Sequence, residues 1–551
     1  MRQGTSRHSL AIWCLGLSLF SVVLVQSGDA RPTGSAEQPK ILRVVVFKDS
    51  GAIEPALMGG YDAFQAFNAT QLSLVTHLDE GKGAGRLIVP YGAARLPRIS
   101  RDYRTFAFQI RPGVRFSDGK VVTARNFKEG IERVLNPQMQ SPFAFQFEDV
   151  VVGARAFTAG RAAHVSGVEI RNGRLIFHLT RPTPDFLDRL ALPIVTAMPL
   201  NLPVTPDGVP APLPSAGPYY VETYVPQRTA VLVRNPYWNR AILPSRPANF
   251  DEIVYLGRTP DGAVATVLGG RADVVTFNDP TTLSSDRIRS LKDQFDVNRS
   301  QFFVKRRLGR SSIMFNTRRP RLFSSARLRR AVNYALDRRQ LVHAYGLLSG
   351  RPTDQLLLPG LVGYRNWRLY PPHRNLVEAK RLARGANGRV VSLYVPTMRS
   401  GPQIGSVVAS NLEQLGLRVN ITTVAGDFGE RLTKPGEPWD LAFAEWSPYR
   451  LDPMTYINYP LQGGRYAELI PNGANYGGFD VPEWNRRMER TAHKGRGRWK
   501  AYALLDRDLM RKAAPLAPYM VDNAFTLVSS RIGCVKWLAN GFPNFASLCV
   551  K

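Results

Sequence analysis

The stretch Thr105-Phe106-Ala107-Phe108-Gln109-Ile110-Arg111-Pro112-Gly113-Val114-Arg115-Phe116-Ser117-Asp118-Gly119 divides into a strand and a turn. Phe106, Phe108 and Ile110 alternate with Ala107 and Gln109, the period of a half-buried strand. Asp118-Gly119 supplies residues that tolerate positive φ, so residues 104–123 read as a hairpin. A helix follows. Thr123 is a good N-cap, and Phe127, Ile131, Val134 and Leu135 recur at helical spacing before Pro137 ends the run. Leu175, Phe177 and Leu179 alternate with Ile176, His178 and Thr180 as a further strand, with His178 on its solvent face.

Farther along, hairpins give way to strand and helix alternation. Leu328, Val332, Ala335 and Leu336 form a helical stripe within Ala326 to Leu341. Val390 to Val395 reads as a strand, Ile404, Val408, Leu412 and Leu415 as a helix face, and Leu417, Val419, Ile421 and Thr423 as one face of the next strand. Such a βαβ unit builds a parallel sheet, and ligands on such sheets bind beyond the carboxyl ends of the strands. There is no internal repeat and no long low-complexity linker, which points to interleaved domains.

The chain has 551 residues, with 73 Lys and Arg against 43 Asp and Glu for a net charge of +30. The basic residues are scattered, with no block of like charge, so they describe a diffuse surface rather than a nucleic-acid tail. Arg2 and Arg7 precede an apolar stretch from Leu10 to Val25, and Gly28 and Ala30 occupy small-residue positions. That reads as a secretory signal, residues 1–30, cleaved after Ala30, with an uncleaved anchor as the alternative, and it implies export. Three cysteines are present, and Cys14 falls in the signal. Cys534 and Cys549 remain, either as a disulfide or as two buried thiols.

Seven histidines show no H-E-x-x-H spacing, and the chain carries no G-x-S-x-G elbow, no Walker A loop and no C-x-x-C. Gly81-Lys82-Gly83-Ala84-Gly85 lacks the preceding strand and the spacing of a dinucleotide fingerprint, and reads as a loop. No metal, cofactor or catalytic set is expected, although a triad assembles in space rather than in sequence.

With Thr123-Ala124 and Ile131-Glu132-Arg133-Val134-Leu135-Asn136-Pro137, the opening stretch resembles the family 5 extracellular solute-binding proteins, the oligopeptide, dipeptide and nickel receptors of ABC importers. Further matches follow in the family's order. They are Gly153-Ala154 with Gly160 and Ser166-Gly167, Ser215-Ala216-Gly217-Pro218-Tyr219, Arg234-Asn235-Pro236-Tyr237-Trp238, Gly270-Arg271-Ala272-Asp273, Phe315-Asn316-Thr317, Arg327 to Asp337, and Ala514-Pro515. The resemblance implies a two-lobed α/β fold of the type II, three-domain periplasmic-binding-protein kind, with a central ligand cleft and two hinge crossings. Lobe one would comprise residues 31–60, 180–280 and 500–551, an inserted second domain 61–179, and lobe two 281–499. It implies a periplasmic, monomeric receptor that closes on a peptide or peptide-like solute and hands it to ABC permease subunits, without nucleic acid and without catalysis. A signalling or chaperone-type binding module without a permease is the alternative, and an exported hydrolase a more remote one.

The chain departs from the family twice. Arg125 and Asn126 follow Thr123 where acidic residues are common, forfeiting a favourable first-turn charge. In peptide receptors the segment resembling Glu445-Trp446-Ser447-Pro448-Tyr449-Arg450-Leu451-Asp452-Pro453 usually carries an aspartate that pairs with the ligand's α-ammonium group, and Tyr449 stands there. Asp452 substitutes only if the loop is built differently. This tilts the solute toward an acidic or amino-blocked one. Candidate wall residues are Trp446, Ser447, Tyr449 and Arg450, with Asn475 and Tyr476 in the following loop. The rings would supply stacking area and Arg450 a fork for a carboxylate.

Overall fold

In the computed structural model residues 38–47, 53–79, 85–226, 228–318, 320–398, 400–464 and 474–551 are described. The expected signal and most of the Gly81–Gly85 loop lie outside them. All elements below belong to the unit Pro39–Lys551.

In chain order the strands are β1 (Ile41–Val46), β2 (Val75–His77), β3 (Ile88–Pro90), β4 (Arg98–Ile99), β5 (Thr105–Gln109), β6 (Val168–Arg171), β7 (Arg174–His178), β8 (Tyr219–Val225), β9 (Thr229–Arg234) and β10 (Glu252–Gly257). They continue with β11 (Val274–Phe277), β12 (Phe302–Phe315), β13 (Gly350–Pro352), β14 (Val390–Pro396), β15 (Arg418–Val424), β16 (Leu441–Trp446), β17 (Leu516–Val528), β18 (Ile532–Gly533) and β19 (Cys549–Val550). Among the described residues eleven strands form one sheet in the order β15-β14-β16-β12-β17-β11-β1-β10-β9-β8, with β13 beside β17. β4-β5-β7-β6 make a separate four-stranded sheet.

The sheet's middle is what positions the site. β12 and β17 are long, at 14 and 13 residues, and pair antiparallel from Phe302↔Leu527 to Met314↔Leu516. On one side β12 carries β16, and β16 leads to the parallel pair β14 and β15. On the other side β17 carries β11, and β11 runs parallel to β1. Two strands therefore join the halves of the sheet. Between Arg306 and Arg310 their register shifts, a bulge that bends the strand at the sheet's centre.

The strand and the turn of the opening stretch both form, but not as the two parts of one hairpin over 104–123: β5 pairs with β4 and β7, and Asp118-Gly119 turns a shorter loop closed by the Arg115–Val121 bridge, with Gly119 at a φ of +85°. Helix α1 (Gly60–Thr70) precedes it and helix α2 (Ala124–Leu135) follows it. The Asn126 side chain accepts from the Thr123 backbone N–H at 2.8 Å, a capping box made with an amide where an acid is usual. Phe127, Ile131, Val134 and Leu135 pack beneath with Phe106, Phe108 and Phe177 in one apolar core. His178 is half-buried, 3.2 Å from Glu169.

β14, the helix Gly401–Glu413 and β15 form the expected βαβ unit, with Val391↔Val419 and Leu393↔Ile421 in register. One expectation fails in detail. The stripe within Ala326 to Leu341 is two helices, Ala326–Ala335 and Arg338–Tyr345. Asp337 accepts from the Arg339 and Gln340 backbone N–H groups, so it caps a new helix instead of continuing the old one. At the chain's end Cys534 and Cys549 are joined, with an S–S distance of 2.09 Å, beside the small β18-β19 pair.

Candidate functional site

β16 delivers residues 445–452 to the middle of the molecule. Its last residue, Trp446, lies opposite Arg310 of β12 and donates from Nε1 to the Thr455 carbonyl at 2.7 Å. The chain then turns into the helix Pro453–Leu461, whose first turn is capped by Asp452 through Met454 N–H. The Ser447 carbonyl accepts from the Tyr61 hydroxyl at 2.8 Å, a contact between residues 386 positions apart. Tyr449 packs into an aromatic group drawn from distant parts of the chain, stacked on Phe64 at 5.7 Å and edge-on to Phe143 at 6.0 Å, with Tyr61 at 5.4 Å. Burial pushes its phenol well above the ordinary range.

Arg450 is 2% exposed and uses its guanidinium fully. Nε donates to Asp188 at 2.8 Å, Nη2 to Asp185 at 2.5 Å, and Nη1 to Gln146 and the Tyr459 hydroxyl, both at 3.0 Å. Asp185 and Asp188 flank the start of the helix Phe186–Leu190, and Asp185 also accepts from Arg189 at 2.9 Å. Burial alone would raise both carboxyls. Arg189 and Arg450 at Asp185, and Arg450 with His77 at Asp188, outweigh it and hold both below the ordinary carboxylate range. Asp452 meets Arg498 through both oxygens, at 2.5 and 2.7 Å. A buried charge is tolerable only when so paired, and here each aspartate is.

A second polar group straddles the β12 bulge. Arg307 donates to Glu445 at 2.9 Å, to the Asn278 carbonyl at 2.5 Å and to the Ser447 hydroxyl at 3.4 Å, and its guanidinium lies 5.3 Å from the Tyr61 ring centre. Asp522, on β17, accepts from Ser311 at 2.8 Å through Oδ1, while Oδ2 is buried without a hydrogen-bond partner among the described residues. Burial, then the nearby Glu445 charge, pushes the Asp522 carboxyl up to about 7. Gly309 makes the approach possible, because a Cβ there would stand 2.7 Å from Asp522 Oδ2.

Beside these groups lies a cavity of about 300 Å³ whose walls come from β2 and β3, the Asp185–Asp188 corner, the β12 bulge, residues 359–362, Leu451-Asp452 and Trp499. Its size is at the lower end for small-molecule sites. A pocket of about 40 Å³ adjoins it behind Tyr449 and Arg450. Among the described residues no cluster of three or more potential metal ligands occurs. No helix among them is long and apolar enough to cross a membrane.

The sequence pattern of the bacterial extracellular solute-binding proteins, family 5, matches residues 88–468, well over half of the chain. The chain belongs to that family. The periplasmic murein peptide-binding protein MppA of Escherichia coli is 26% identical over 350 residues, covering 60% of this chain and 59% of its own. The match thus spans about three fifths of that relative's length. Among solved structures, clavulanic acid biosynthesis oligopeptide binding protein 2 superposes with a TM-score of 0.83 at 22% identity, over 93% of this chain and 95% of its own. An unliganded open form of MppA superposes with a TM-score of 0.73 at 20% identity, over 93% and 98%. The fold is therefore the type II periplasmic-binding fold that the family 5 resemblance implied.

Within this family 5 frame the six wall residues separate. Trp446, Ser447, Tyr449 and Arg450 lie on one continuous segment, of which Tyr449 and Arg450 line the smaller pocket and none lines the larger cavity. Asn475 instead ties its own loop, donating to the Phe479 carbonyl at 2.8 Å and accepting Phe479 N–H at 3.0 Å. Tyr476 is half-buried, and its carbonyl accepts from Arg318 at 2.8 Å. Sequence reading missed Tyr61, Arg86, Asp185, Asp188, Arg306, Arg307 and Asp522. None of these belongs to a local motif, and only the Asp185-Arg189 spacing is a helical ion-pair signal.

Proposed function

We propose that this protein is the periplasmic solute-binding receptor of an ABC importer, capturing a peptide or peptide-like solute by lobe closure and presenting it, chemically unaltered, to permease subunits. Family membership supports the receptor role, and the names of its relatives support the peptide class. The protein acts as a monomer with no cofactor. The division into lobe one (31–60, 180–280, 500–551), insert (61–179) and lobe two (281–499) is the working scheme for that motion. Closure favours a bound solute only through contacts absent in the open form.

The solute is read without a free α-ammonium group. The observation that carries this is the state of the 449–452 segment: the position of the ammonium-pairing aspartate holds a phenol packed on Phe64, and Asp452 is taken by both arms of Arg498. An ammonium buried there would lack a counter-charge, at a cost of several kcal/mol. Calorimetry on matched di- and tripeptides, free and N-acetylated, tests the reading. Acetylated peptides should bind at least as tightly as free ones. Tight binding of free peptides, abolished by acetylation, would contradict it.

A further inference from the structure

The cavity beside Tyr449 has an uneven charge inventory. Three aspartates line it, Asp185, Asp188 and Asp452, and each is engaged by arginine from behind the wall. Arg189 and Arg450 hold Asp185, Arg450 holds Asp188, and Arg498 holds Asp452. Against these three carboxylates stand three guanidinium groups, so the buried set is neutral. Two further lining cations, Arg86 and Arg306, have no carboxylate partner among the described residues. Arg86 is exposed, and Arg306 spends Nη1 on the Pro359 carbonyl at 2.7 Å, leaving Nε and Nη2 without a hydrogen bond among those residues. The remaining lining is largely apolar, with Ile88, Leu187, Leu308, Leu361 and the Trp499 ring.

An open-sided cavity with a largely apolar lining, neutralised acids and two exposed guanidinium groups that lack a carboxylate partner among the described residues favours an anion on an apolar stem. We propose that this cavity takes a carboxylate of the peptide-like solute, contributed by an acidic residue or by the chain end, with Arg86 and Arg306 as its counter-charges. A guanidinium that closes on a carboxylate makes charge-assisted bonds, stronger than neutral ones. Arg306 stands on the β12 bulge and Arg86 on the segment entering β3, so one carboxylate touching both would link two elements 220 residues apart in sequence. The anchor deepens the peptide-receptor reading and rests on it.

The test is a retention experiment with four equimolar sets of N-acetyl dipeptides, the first residue varied and the second being Glu, Glu amide, Gln or Gln amide. Native mass spectrometry reads which members the full-length mature protein keeps. The carboxylate-bearing members should be retained at least tenfold over the neutral Gln amides. The Glu amide and free Gln sets tell a side-chain carboxylate from a terminal one. In the Arg86→Gln, Arg306→Gln double variant that preference should fall by tenfold or more, and the corresponding double Lys variant should keep most of it. Both positions are exposed at the surface of the cavity, and an unchanged thermal midpoint shows that the variants fold. Equal retention of neutral amides, or an undiminished preference in the double Gln variant, overturns the anchor while leaving a peptide receptor standing. Retention of no member by the native protein overturns the peptide reading, and the anchor falls with it.

Discussion

Two buried polar groups sit a few residues apart along one segment, and they are built on opposite principles. Around Arg450 every carboxylate meets a guanidinium, and Asp185 and Asp188 are held below the ordinary range. Around the β12 bulge Asp522 keeps one oxygen without a partner among the described residues and is pushed up to about 7. The saturated group stays ionised through the ordinary carboxylate range and fixes a geometry there. The unsaturated one stores a proton at the place where the two halves of the sheet are joined. Burial is nearly complete in both, so burial alone does not decide protonation; the supply of cations does.

The largest way to break this contrast is to remove the cation from the saturated group. Arg450→Met leaves Asp188 with His77 alone and Asp185 with Arg189 alone, inside the protein. Leaving a buried charge uncompensated costs about 3–5 kcal/mol. Denaturant unfolding at neutral pH should show a loss of that order. A loss under about 1 kcal/mol, the scale of a solvated surface pair, would mean that the group is wet and the contrast false.

Titration sharpens the comparison next. Asp522 has its pKa raised in the folded protein, from 3.8 to about 7. Below about pH 4 both states hold the proton, and between about 4 and 7 only the folded state does. Folding then takes up a proton, so this group's contribution is present at low pH and is lost as pH rises through 7. Asp62 and Asp506, pushed up by burial to about 7 and about 6, act in the same direction. Asp185 and Asp188 act oppositely, their contribution being lost as pH falls below the ordinary carboxylate range. Asp522→Asn removes one raised group and keeps an acceptor for Ser311. Urea midpoints from pH 5 to 8 should show the variant gaining on the native protein as pH rises. The gain should reach a few kcal/mol at the upper end, at about 1.4 kcal/mol for each tenfold difference in proton affinity between the folded and unfolded chain. Parallel curves would show that Asp522 is ionised throughout.

A third change tests how tightly the bulge is built. Gly309→Ala places a Cβ 2.7 Å from Asp522 Oδ2 and 3.3 Å from the Ser447 hydroxyl. Asp522 sits on β17 and is fixed by Ser311, so the strand pair has to give. Overpacking of this kind costs about 1–3 kcal/mol. Thermal unfolding of the variant reads it, and an unchanged midpoint would show that the bulge yields freely.

Much of this fold is legible in the chain because the signals are local. Alternation at Phe106 and Phe108, the Asp118-Gly119 turn and the stripe from Phe127 to Leu135 each lie within one element and need nothing distant. The βαβ unit is readable for the same reason. The break at Leu336 is not, because Asp337 reads equally as a surface residue or a cap until its side chain is seen accepting from Arg339 and Gln340. The site divides in the same way. Tyr449 stands out against the family pattern, but Arg450 finds its aspartates 265 and 262 positions away, and no spacing announces that. Asp522 is an ordinary strand residue in sequence, and its proton depends on the burial and the Glu445 charge that tertiary pairing brings to it, against the opposing pull of Arg307 and Ser311.

The smallest test concerns a single hydrogen bond between α1 and the segment that carries both polar groups. Tyr61, on α1, donates to the Ser447 carbonyl at 2.8 Å while its ring lies beside Arg307 and against Tyr449. Tyr61→Phe keeps the ring, hence the stacking and the cation–π contact, and deletes only the hydroxyl. The net worth of such a hydrogen bond is about 0.5–1.5 kcal/mol, and the Ser447 carbonyl is left without that donor. Unfolding should therefore shift by about 1 kcal/mol. The bond spans elements that separate if the lobes part, so its loss weakens the closed arrangement specifically, and small-angle scattering of the ligand-free variant should show a larger radius of gyration than that of the native protein. An equal radius with the stability loss intact would mean that Tyr61 and Ser447 travel together, and α1 would have to be grouped with residues 281–499 instead of with the insert.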